Sequence, residues 1–271
     1  MYTDFEFANK RLSDFGCVLC HINTESGLRE IDIGCDITFK TVKNNKSSIH
    51  SITSSTYESV YTTTLEIIKN PCNQEIMYMT HNEIRPLVKW LNVHGYHKFK
   101  PIKYNNNPSD VHYYGSFKVK ENAIGNNIIG LSLTFESNAP YGFGEENKIE
   151  TTVLSKYDKL SIWGDSDEMG ILYPTVKVTC LEDGNLEIIN ETTGNKVVIK
   201  NCSIDETIVM DGEHEVITTD NTKHTTFYND FNYTYLDIDT SDYDGVENVY
   251  TFSIPCEVTI CYSPIRKVGV L

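Results

Sequence analysis

Residues 111–142 read VHYYGSFKVKENAIGNNIIGLSLTFESNAPYG, and this stretch decides the fold. Apolar and polar side chains alternate along two segments of it with a period of two, which is typical of strands that bury one face. The predicted buried faces hold Val111, Tyr113, Gly115, Phe117 and Val119 in the first strand, and Ile129, Leu131, Leu133 and Phe135 in the second. The short segment 121–126 predicts a hairpin. Pro140 and Gly142 end the pattern, which indicates a domain boundary.

Length and charge support two domains. The 271 residues suit two domains of roughly 130 residues each. Residues 1–145 contain 14 Lys and Arg against 15 Asp and Glu, and residues 146–271 contain 9 against 23, so the net charges are −1 and −14. We therefore predict an N-terminal domain over 1–145 and a C-terminal domain over 146–271. Direct nucleic-acid binding is not expected, because phosphate recognition requires clustered cations.

Targeting and cysteine patterns point to a protein made in the cytoplasm. The first residues lack the basic start and apolar run of a signal peptide, and no segment approaches the ~20 apolar residues of a membrane span. We expect no membrane association. Eight cysteines are spread along the chain, which favours reduced core thiols over a disulfide framework.

The first half is predicted to combine strands with one helix. Runs rich in Val, Ile, Thr, Tyr and Phe predict strands over 15–22, 37–42, 57–68 and 99–102. The helix follows Thr80 or Asn82, and one apolar face holds Ile84, Leu87, Val88 and Leu91. Thr80 and Glu83 have capping-box spacing, but we favour Asn82 as the cap because Pro86 then lies closer to the helix start. Gly95 is predicted to end the helix.

The second half is predicted to be a β-sandwich of short strands. The strand candidates are 175–181, 186–190, 197–200, 207–210, 215–218, 250–254 and 257–262. Asp183-Gly184 suits a tight hairpin between the first two, and residues 193–195 form a further turn. The segment 220–232 is interpreted as an extended loop. The predicted fold class is therefore mainly β.

Short motifs occur along the chain in a characteristic order. In the first half they are Phe15-Gly16, Arg85, Trp90-Leu91, Tyr114-Gly115, Gly130-Leu131 and Pro140-Tyr141-Gly142. In the second half they are Tyr173-Pro174, Asp183-Gly184, Asn201-Cys202, the segment 206–212 and Arg266-Lys267-Val268-Gly269. Together they resemble the distal tail protein family, Dit, of long-tailed bacteriophages.

The resemblance implies a structural virion protein. It implies an N-terminal β-barrel-like or β-sandwich domain with one helix, and a C-terminal galectin-like β-sandwich. In the family, six copies close into a ring at the virion tail tip, between the tail tube and the baseplate with its host-adsorption apparatus. The implied partners are the tail tube protein, the tape-measure protein and a tail-associated hub protein, with receptor-binding components on the outer domain. The resemblance implies no catalytic, cofactor or metal residues.

A zinc site and a calcium site are the metal alternatives. Cys17, Cys20 and His21 have half of a zinc spacing without a second pair, and strand alternation puts the two thiols on opposite faces, so buried thiols are expected. The acidic run, interpreted as a solvated loop with calcium binding as the alternative, comprises Asp237, Asp239, Asp242, Asp244 and Glu247. Its spacing does not match an EF-hand.

Catalysis has little support, whereas carbohydrate binding is the main alternative function. We find no nucleophile-elbow sequence, and the spaced Cys256 and Cys261 are interpreted as core residues, so an enzyme is not expected. Trp163 is interpreted as part of the sandwich core or the domain junction, and stacking on a sugar is the alternative. A cluster that could dock a partner or cover the core comprises Tyr228, Phe231, Tyr233 and Tyr235.

Overall fold

The chain forms two compact units. The computed structural model describes residues 2–20, 34–43, 49–72, 76–103 and 109–268. The first unit is Met1–Phe143 with Lys267–Leu271, and the second is Gly144–Arg266. By sequence, the first unit has 15 basic and 14 acidic residues, a net charge of +1, whereas the second has 8 and 24, a net charge of −16. Strands dominate both units, which confirms the predicted mainly β fold class.

The first unit is built on a seven-stranded antiparallel sheet. The described strands of this unit, in chain order, are β1 (Tyr2–Phe7), β2 (Lys10–Arg11), β3 (Cys17–Cys20), β4 (Ile37–Lys43), β5 (His50–Tyr57), β6 (Thr62–Lys69), β7 (His97–Lys103), β8 (Tyr113–Ile124), β9 (Asn127–Ser137) and β10 (Gly142–Phe143). The spatial order of the large sheet is β2-β1-β7-β8-β9-β6-β3. Strands β4 and β5 form a separate two-stranded sheet, which we call the ribbon. The α-helix α1 (His81–Leu91) packs against the core of the large sheet.

The hairpin predicted from residues 111–142 is confirmed. Strands β8 and β9 pair antiparallel, with Phe117 opposite Phe135 and Val119 opposite Leu133. The alternation arises because one face of these strands is buried beneath other aromatic rings, including Phe99 at 4.6 Å from Phe135 between ring centroids. Gly115 makes room for this packing, since a Cβ there would lie 2.4 Å from the Phe135 ring.

We predict that Gly115→Ala destabilises the first unit. The added methyl group meets both the Phe135 ring and the Glu136 carbonyl at 2.4 Å, and overpacking of this kind costs roughly 1–3 kcal/mol. Thermal unfolding of the full chain measures the loss. Gly34→Ala is the matched control, because a Cβ at Gly34 meets no atom within 4 Å. Equal stability of the two variants would contradict the packing described for this hairpin.

Helix α1 is held by aromatic packing. Trp90 stacks between Phe5 and Phe15, with ring centroids 5.6 and 4.7 Å away, and its Nε1–H donates a hydrogen bond of 2.7 Å to the carbonyl of Phe7. The indole therefore buries its ring and satisfies its only polar group at once. Ile84, Leu87 and Leu91 complete the buried face. The predicted apolar face of the helix is thus confirmed.

Both predicted ends of α1 are wrong. Thr80, not Asn82, is the N-cap, and the Thr80 N–H and hydroxyl donate to Glu83 at 2.7 and 2.8 Å. Glu83 also forms an ion pair with Lys69 at this end of the helix. The hydrogen bond from Lys69, together with those from Thr80, lowers the pKa of Glu83 to about 2. Pro86 is tolerated inside the helix because it lies on the exposed face, where water can reach the carbonyl it leaves without a donor. The helix ends at Leu91, before Gly95.

Two predicted strands of the first unit have wrong limits. Phe15, the first residue of the predicted strand 15–22, instead ends a 3-10 turn (Leu12–Phe15) and packs on Trp90, so β3 begins only at Cys17. Residues 21 and 22 of that prediction lie outside the described residues. The predicted strand 57–68 is divided, because the chain leaves the ribbon after Tyr57 and enters β6 at Thr62. The strands that sequence reasoning did not predict are β1, β2, β5 and β10.

The second unit is a β-sandwich, as predicted. Its elements are β11 (Asn147–Val153), β12 (Lys159–Gly164), β13 (Ile171–Leu172), β14 (Thr175–Cys180), β15 (Gly184–Asn190), β16 (Lys196–Cys202), β17 (Thr207–Asp211), β18 (Val216–Thr219), α2 (Phe227–Asp230), β19 (Ile238–Asp239), β20 (Val246–Phe252), β21 (Cys256–Tyr262) and β22 (Ile265–Arg266). Sheets β11-β21-β14-β17-β18 and β12-β20-β15-β16 share one core. The first sheet contributes Val176, Val178 and Ile260 to that core. The second sheet contributes Leu186, Ile188 and Phe252.

The Asp183-Gly184 segment does not form the predicted hairpin. It connects β14 to β15, and these strands belong to different sheets. Asp183 instead accepts a hydrogen bond of 2.6 Å from the N–H of Ile204, which holds the crossing between the sheets. The turn at 193–195 does join paired strands, β15 and β16. Within the segment 220–232, α2 forms one helical turn. Among the described residues, no helix combines the length and apolarity needed to cross a membrane.

Candidate functional site

The ribbon of the first unit carries an exposed apolar face. Residues that lie opposite each other on paired strands share a face of the sheet. One face of the ribbon holds three such pairs: Ile37 with Tyr57, Phe39 with Ser55, and Thr41 with Ile52. The register shifts between Lys40 and Thr41, which leaves Thr53 as an extra residue in β5. Without this bulge, strict alternation would put Ile52 on the opposite face. The bulge therefore puts Ile52 on the same side as Ile37 and Phe39, whereas Val42 lies on the opposite face.

Exposure of these side chains indicates a contact surface. Ile37, Phe39 and Ile52 are 42, 54 and 62 % exposed, whereas comparable side chains of the core are below a tenth. The opposite face is mainly polar, with Thr38, Lys40, Ser54 and Thr56, and Val42 is its one large apolar side chain among the described residues of β4 and β5. Within the described residues, β4 and β5 pair only with each other, so each has an open edge. An apolar face with open edges can accept another polypeptide.

The predicted zinc motif is not assembled in the described residues. Cys17 is buried, and its thiol contacts the carbonyl of Phe15 at 3.6 Å, whereas Cys20 is partly buried. Burial raises the pKa of each thiol to about 11, so both stay protonated at neutral pH. His21 lies outside the described residues. In the second unit Cys256 is buried in the core, and burial raises its pKa to about 12, while Cys261 is partly buried.

The acidic run divides between a buried position and exposed turns. Asp237 is 6 % exposed, whereas Asp239 and Asp242 accept hydrogen bonds from the nearby backbone N–H groups of Ser241 and Asp244. Such bonds organise turns. In the ranges that the structure describes, no group of three or more His, Cys, Asp or Glu side chains is arranged to hold a metal ion.

Trp163 does not fill the sandwich core, one of the two positions expected from the sequence. Its side chain is 56 % exposed, because Trp163 lies on the outer face of β12 while its neighbours Ile162 and Gly164 are buried. In the tyrosine-rich segment, Phe231 is buried, whereas Tyr228 and Tyr233 are more than half exposed. The segment therefore both closes the core and presents rings to solvent.

A groove of about 420 Å³ opens beside this segment, and we call it the tyrosine groove. It is lined chiefly by Tyr173, Tyr233, Tyr235, Glu213, Glu215 and Asp237. Gly212 lies in its wall, where a Cβ would meet the Cβ atoms of Tyr173 and Tyr235 at 3.0 and 3.5 Å, so these two tyrosines flank the glycine. Burial, and then the charge of Glu215, raise the pKa of Tyr235.

The walls of the tyrosine groove are fixed from behind. Asn195 donates to the carbonyl of Tyr235 at 2.7 Å, and the Tyr233 hydroxyl donates to the carbonyl of Tyr228 at 2.9 Å. Glu215 and Tyr233 have φ angles of 55° and 56°, which non-glycine residues seldom adopt and which cluster at functional sites. Sequence reasoning singled out Tyr233, Tyr235 and, within the acidic run, Asp237, but not Glu213 and Glu215, which come about 20 positions earlier in the chain.

A buried ionic network lies near α2 and was also missed from sequence. The Glu206 carboxylate, 2 % exposed as a residue, accepts four hydrogen bonds, from Ser203 N at 2.9 Å, Asn221 Nδ2 at 3.2 Å, Thr219 Oγ1 at 2.7 Å and His224 Nδ1 at 2.8 Å. His224 Nε2 bonds Asp230 at 3.2 Å. Carboxylates at both ring nitrogens favour the imidazolium form of His224, and the network links the loop around Glu206 to β18 and α2.

The pKa directions agree with this geometry. Burial by itself raises the pKa of Glu206, but the hydrogen bonds, beginning with that from the Ser203 amide, outweigh it and lower the pKa. Burial by itself lowers the pKa of His224, but its bonds to Glu206 and Asp230 outweigh it and raise the pKa. Both shifts favour the ionised form of the pair.

The fold is that of a β-rich protein of two compact units, with an exposed apolar ribbon that can contact another polypeptide. Comparison with family models identifies the particular family: the phage tail protein N-terminal domain matches residues 1–139, and the phage tail C-terminal domain matches residues 141–262. The chain belongs to this phage tail protein family. It is a structural component of the bacteriophage tail, as the sequence motifs predicted.

A solved structure has the same fold. The Dit protein of phage SPP1, described as a paradigm of the hub adsorption apparatus in phages that infect Gram-positive bacteria, is similar with a TM-score of 0.61 and 11 % sequence identity. The match covers 97 % of this chain and 99 % of that chain. The predicted resemblance to the distal tail protein family is thereby confirmed at the level of fold. A sequence search of curated proteins found no match.

Proposed function

We propose that the chain is a distal tail adaptor, six copies of which form a ring at the tail tip. The observation that carries this proposal is the apolar face of the ribbon on a unit of almost zero net charge. Copies of a neutral unit approach each other without electrostatic repulsion, and the ribbon offers each neighbour both apolar side chains and open strand edges. A second copy is therefore its proposed occupant.

The charge difference supports separate roles for the two units. A unit with a net charge of −16 repels its own copies at close range, so we assign it to the outside of the ring. In this proposal residues 1–145 contact the tail tube protein, the tape-measure protein and the tail-associated hub protein. Residues 146–271 form a galectin-like outer domain that carries adsorption components. The proposed role requires neither catalysis nor a cofactor.

Purified full-length chain tests the proposal. We expect mass photometry to detect a species of six 30.9 kDa copies, about 185 kDa, and negative-stain images to show six-fold rings. A rim of outer domains should surround the ring. A chain that stays monomeric at the highest soluble concentration, or rings with the acidic unit around the channel, would contradict the adaptor role.

A further inference from the structure

We propose that the tyrosine groove docks a basic segment of another tail protein, with an arginine or lysine side chain entering between the tyrosines. This goes beyond the adaptor role and does not depend on ring formation, because the groove lies wholly within the second unit.

The charge of the groove favours a cation. Glu213, Glu215 and Asp237 line it, and none of the described residues that line it is Lys, Arg or His. Carboxylates that share a groove repel one another, and a bound cation converts that repulsion into attraction. The surrounding unit, at −16, adds a long-range field that draws basic segments towards it.

The aromatic rings add short-range recognition of the same kind of group. Tyr173 and Tyr233 are 52 and 66 % exposed, although tyrosines of the core are buried. Guanidinium and ammonium groups bind over tyrosine faces through cation–π attraction, which is strongest when the cation is desolvated in a cleft. Exposed rings beside carboxylates therefore favour an organic cation over a neutral ligand.

Asp237 supplies a prepared acceptor. Its Oδ1 accepts a hydrogen bond from Asn190 Nδ2 at 3.1 Å, and its backbone carbonyl accepts one from the Tyr250 hydroxyl at 2.7 Å. In the part of the chain that is described, no donor bonds its Oδ2, although the residue is only 6 % exposed and lines the groove. A guanidinium or ammonium group would donate a charge-assisted hydrogen bond to this Oδ2 atom.

The geometry disfavours a bare metal ion and a neutral sugar. Among the described residues, no three acidic, His or Cys side chains converge to ligate a metal, and the groove, at about 420 Å³, is large enough for a side chain with its flanking backbone. A neutral sugar would leave the carboxylate charges uncompensated. The salt dependence of binding separates these cases, because salt screens a cation but not a sugar.

Calorimetric titration of the full chain with acetyl-Gly-Arg-Gly-Arg-Gly-amide tests the proposal. We expect binding that weakens at least about tenfold between about 50 mM and 500 mM salt, and no binding of the peptide with citrulline in place of both arginines. The double variant Glu213→Gln/Glu215→Gln should also weaken binding at least about tenfold, a loss of about 1.4 kcal/mol. Unchanged melting temperatures verify that the variants fold.

Asp244→Asn/Glu257→Gln is the matched control, since it removes two exposed charges of the same unit outside the groove. Retained binding in the control together with loss in the groove variant supports the proposal. Equal weakening of both variants would overturn it, because general electrostatics would then explain the affinity. Absence of peptide binding would overturn the proposal. Salt-independent binding of chitotriose that the groove variant abolishes would also overturn it, and would identify the groove as a sugar site instead.

Discussion

Replacing Phe39 and Ile52 together by aspartate is expected to dissociate the ring into monomers. Burial of a large apolar side chain contributes about 1.5–3 kcal/mol, so losing two at each interface weakens each contact more than about 100-fold. The introduced carboxylates add the cost of burying charge. Mass photometry should then show a 30.9 kDa species at concentrations where the unaltered chain is assembled.

The fold itself should be unaffected by this double change. Phe39 and Ile52 are 54 and 62 % exposed, and exposed substitutions usually alter the free energy of unfolding by less than about 0.5 kcal/mol. Unfolding of the double variant should therefore match that of the unaltered chain. A large drop in melting temperature would mean that the ribbon is packed within its own unit.

Ser54→Asp/Thr56→Asp is the matched control for the ribbon. It also adds two carboxylates to the ribbon, both in β5 and on the opposite, mainly polar face, where Ser54 faces Lys40 and Thr56 faces Thr38. This control should still assemble. Assembly of both double variants would refute the apolar face as the contact surface, and dissociation of both would indicate that charge on either face of the ribbon is sufficient.

Local alternation was enough to predict much of the fold. The β8–β9 hairpin and most strands of the sandwich follow directly from side chains that alternate between core and solvent. The helix face is likewise set by local spacing. Which strands pair is not determined locally. This is why the segment at Asp183-Gly184, despite its strong turn signal, connects strands of two different sheets instead of forming a hairpin.

The candidate surfaces depend on tertiary structure. Ile52 joins Phe39 only because Thr53 forms a bulge, and the Thr-rich sequence around it has no alternation that would reveal this. The tyrosine groove brings together Tyr173 and Tyr233, which are 60 positions apart in the chain. A cluster of tyrosines was visible in the sequence, but which rings face solvent is decided by the register of the strands beneath them.

Replacing Glu206 by alanine is expected to destabilise the second unit by about 3–5 kcal/mol, the usual loss when one partner of a buried ion pair is removed. Four donors lose their acceptor, and His224, with a side chain only 3 % exposed, keeps only the Asp230 carboxylate, 3.2 Å from its Nε2. Calorimetry should record a lower melting temperature, and hydrogen exchange should accelerate in β17 and β18, which flank the network. Glu182→Ala, which removes an exposed partner of Lys156, should cost less than about 1 kcal/mol.

The pH dependence of this loss identifies its electrostatic origin. The pKa of Glu206 is lowered from 4.5, so its contribution is complete above pH 4.5 and disappears as the pH falls through the folded-state pKa. The pKa of His224 is raised from 6.5, so its contribution is complete below pH 6.5 and disappears as the pH rises through the folded-state pKa. The stability difference between the unaltered chain and Glu206→Ala should therefore be greatest between pH 4.5 and 6.5 and smaller on either side.

Glu206→Gln separates charge from shape. The amide occupies nearly the same volume, and neutral His224 and the Thr219 hydroxyl can both accept from it, so the network can persist without ion pairing. We expect a smaller loss of stability than for alanine and a flatter pH profile, because the carboxylate that raises the pKa of His224 most directly is gone. A stability difference for the alanine variant that is constant from pH 4.5 to pH 9 would show instead that the ion pair with His224 contributes nothing, and that Glu206 acts through its volume and its other hydrogen bonds.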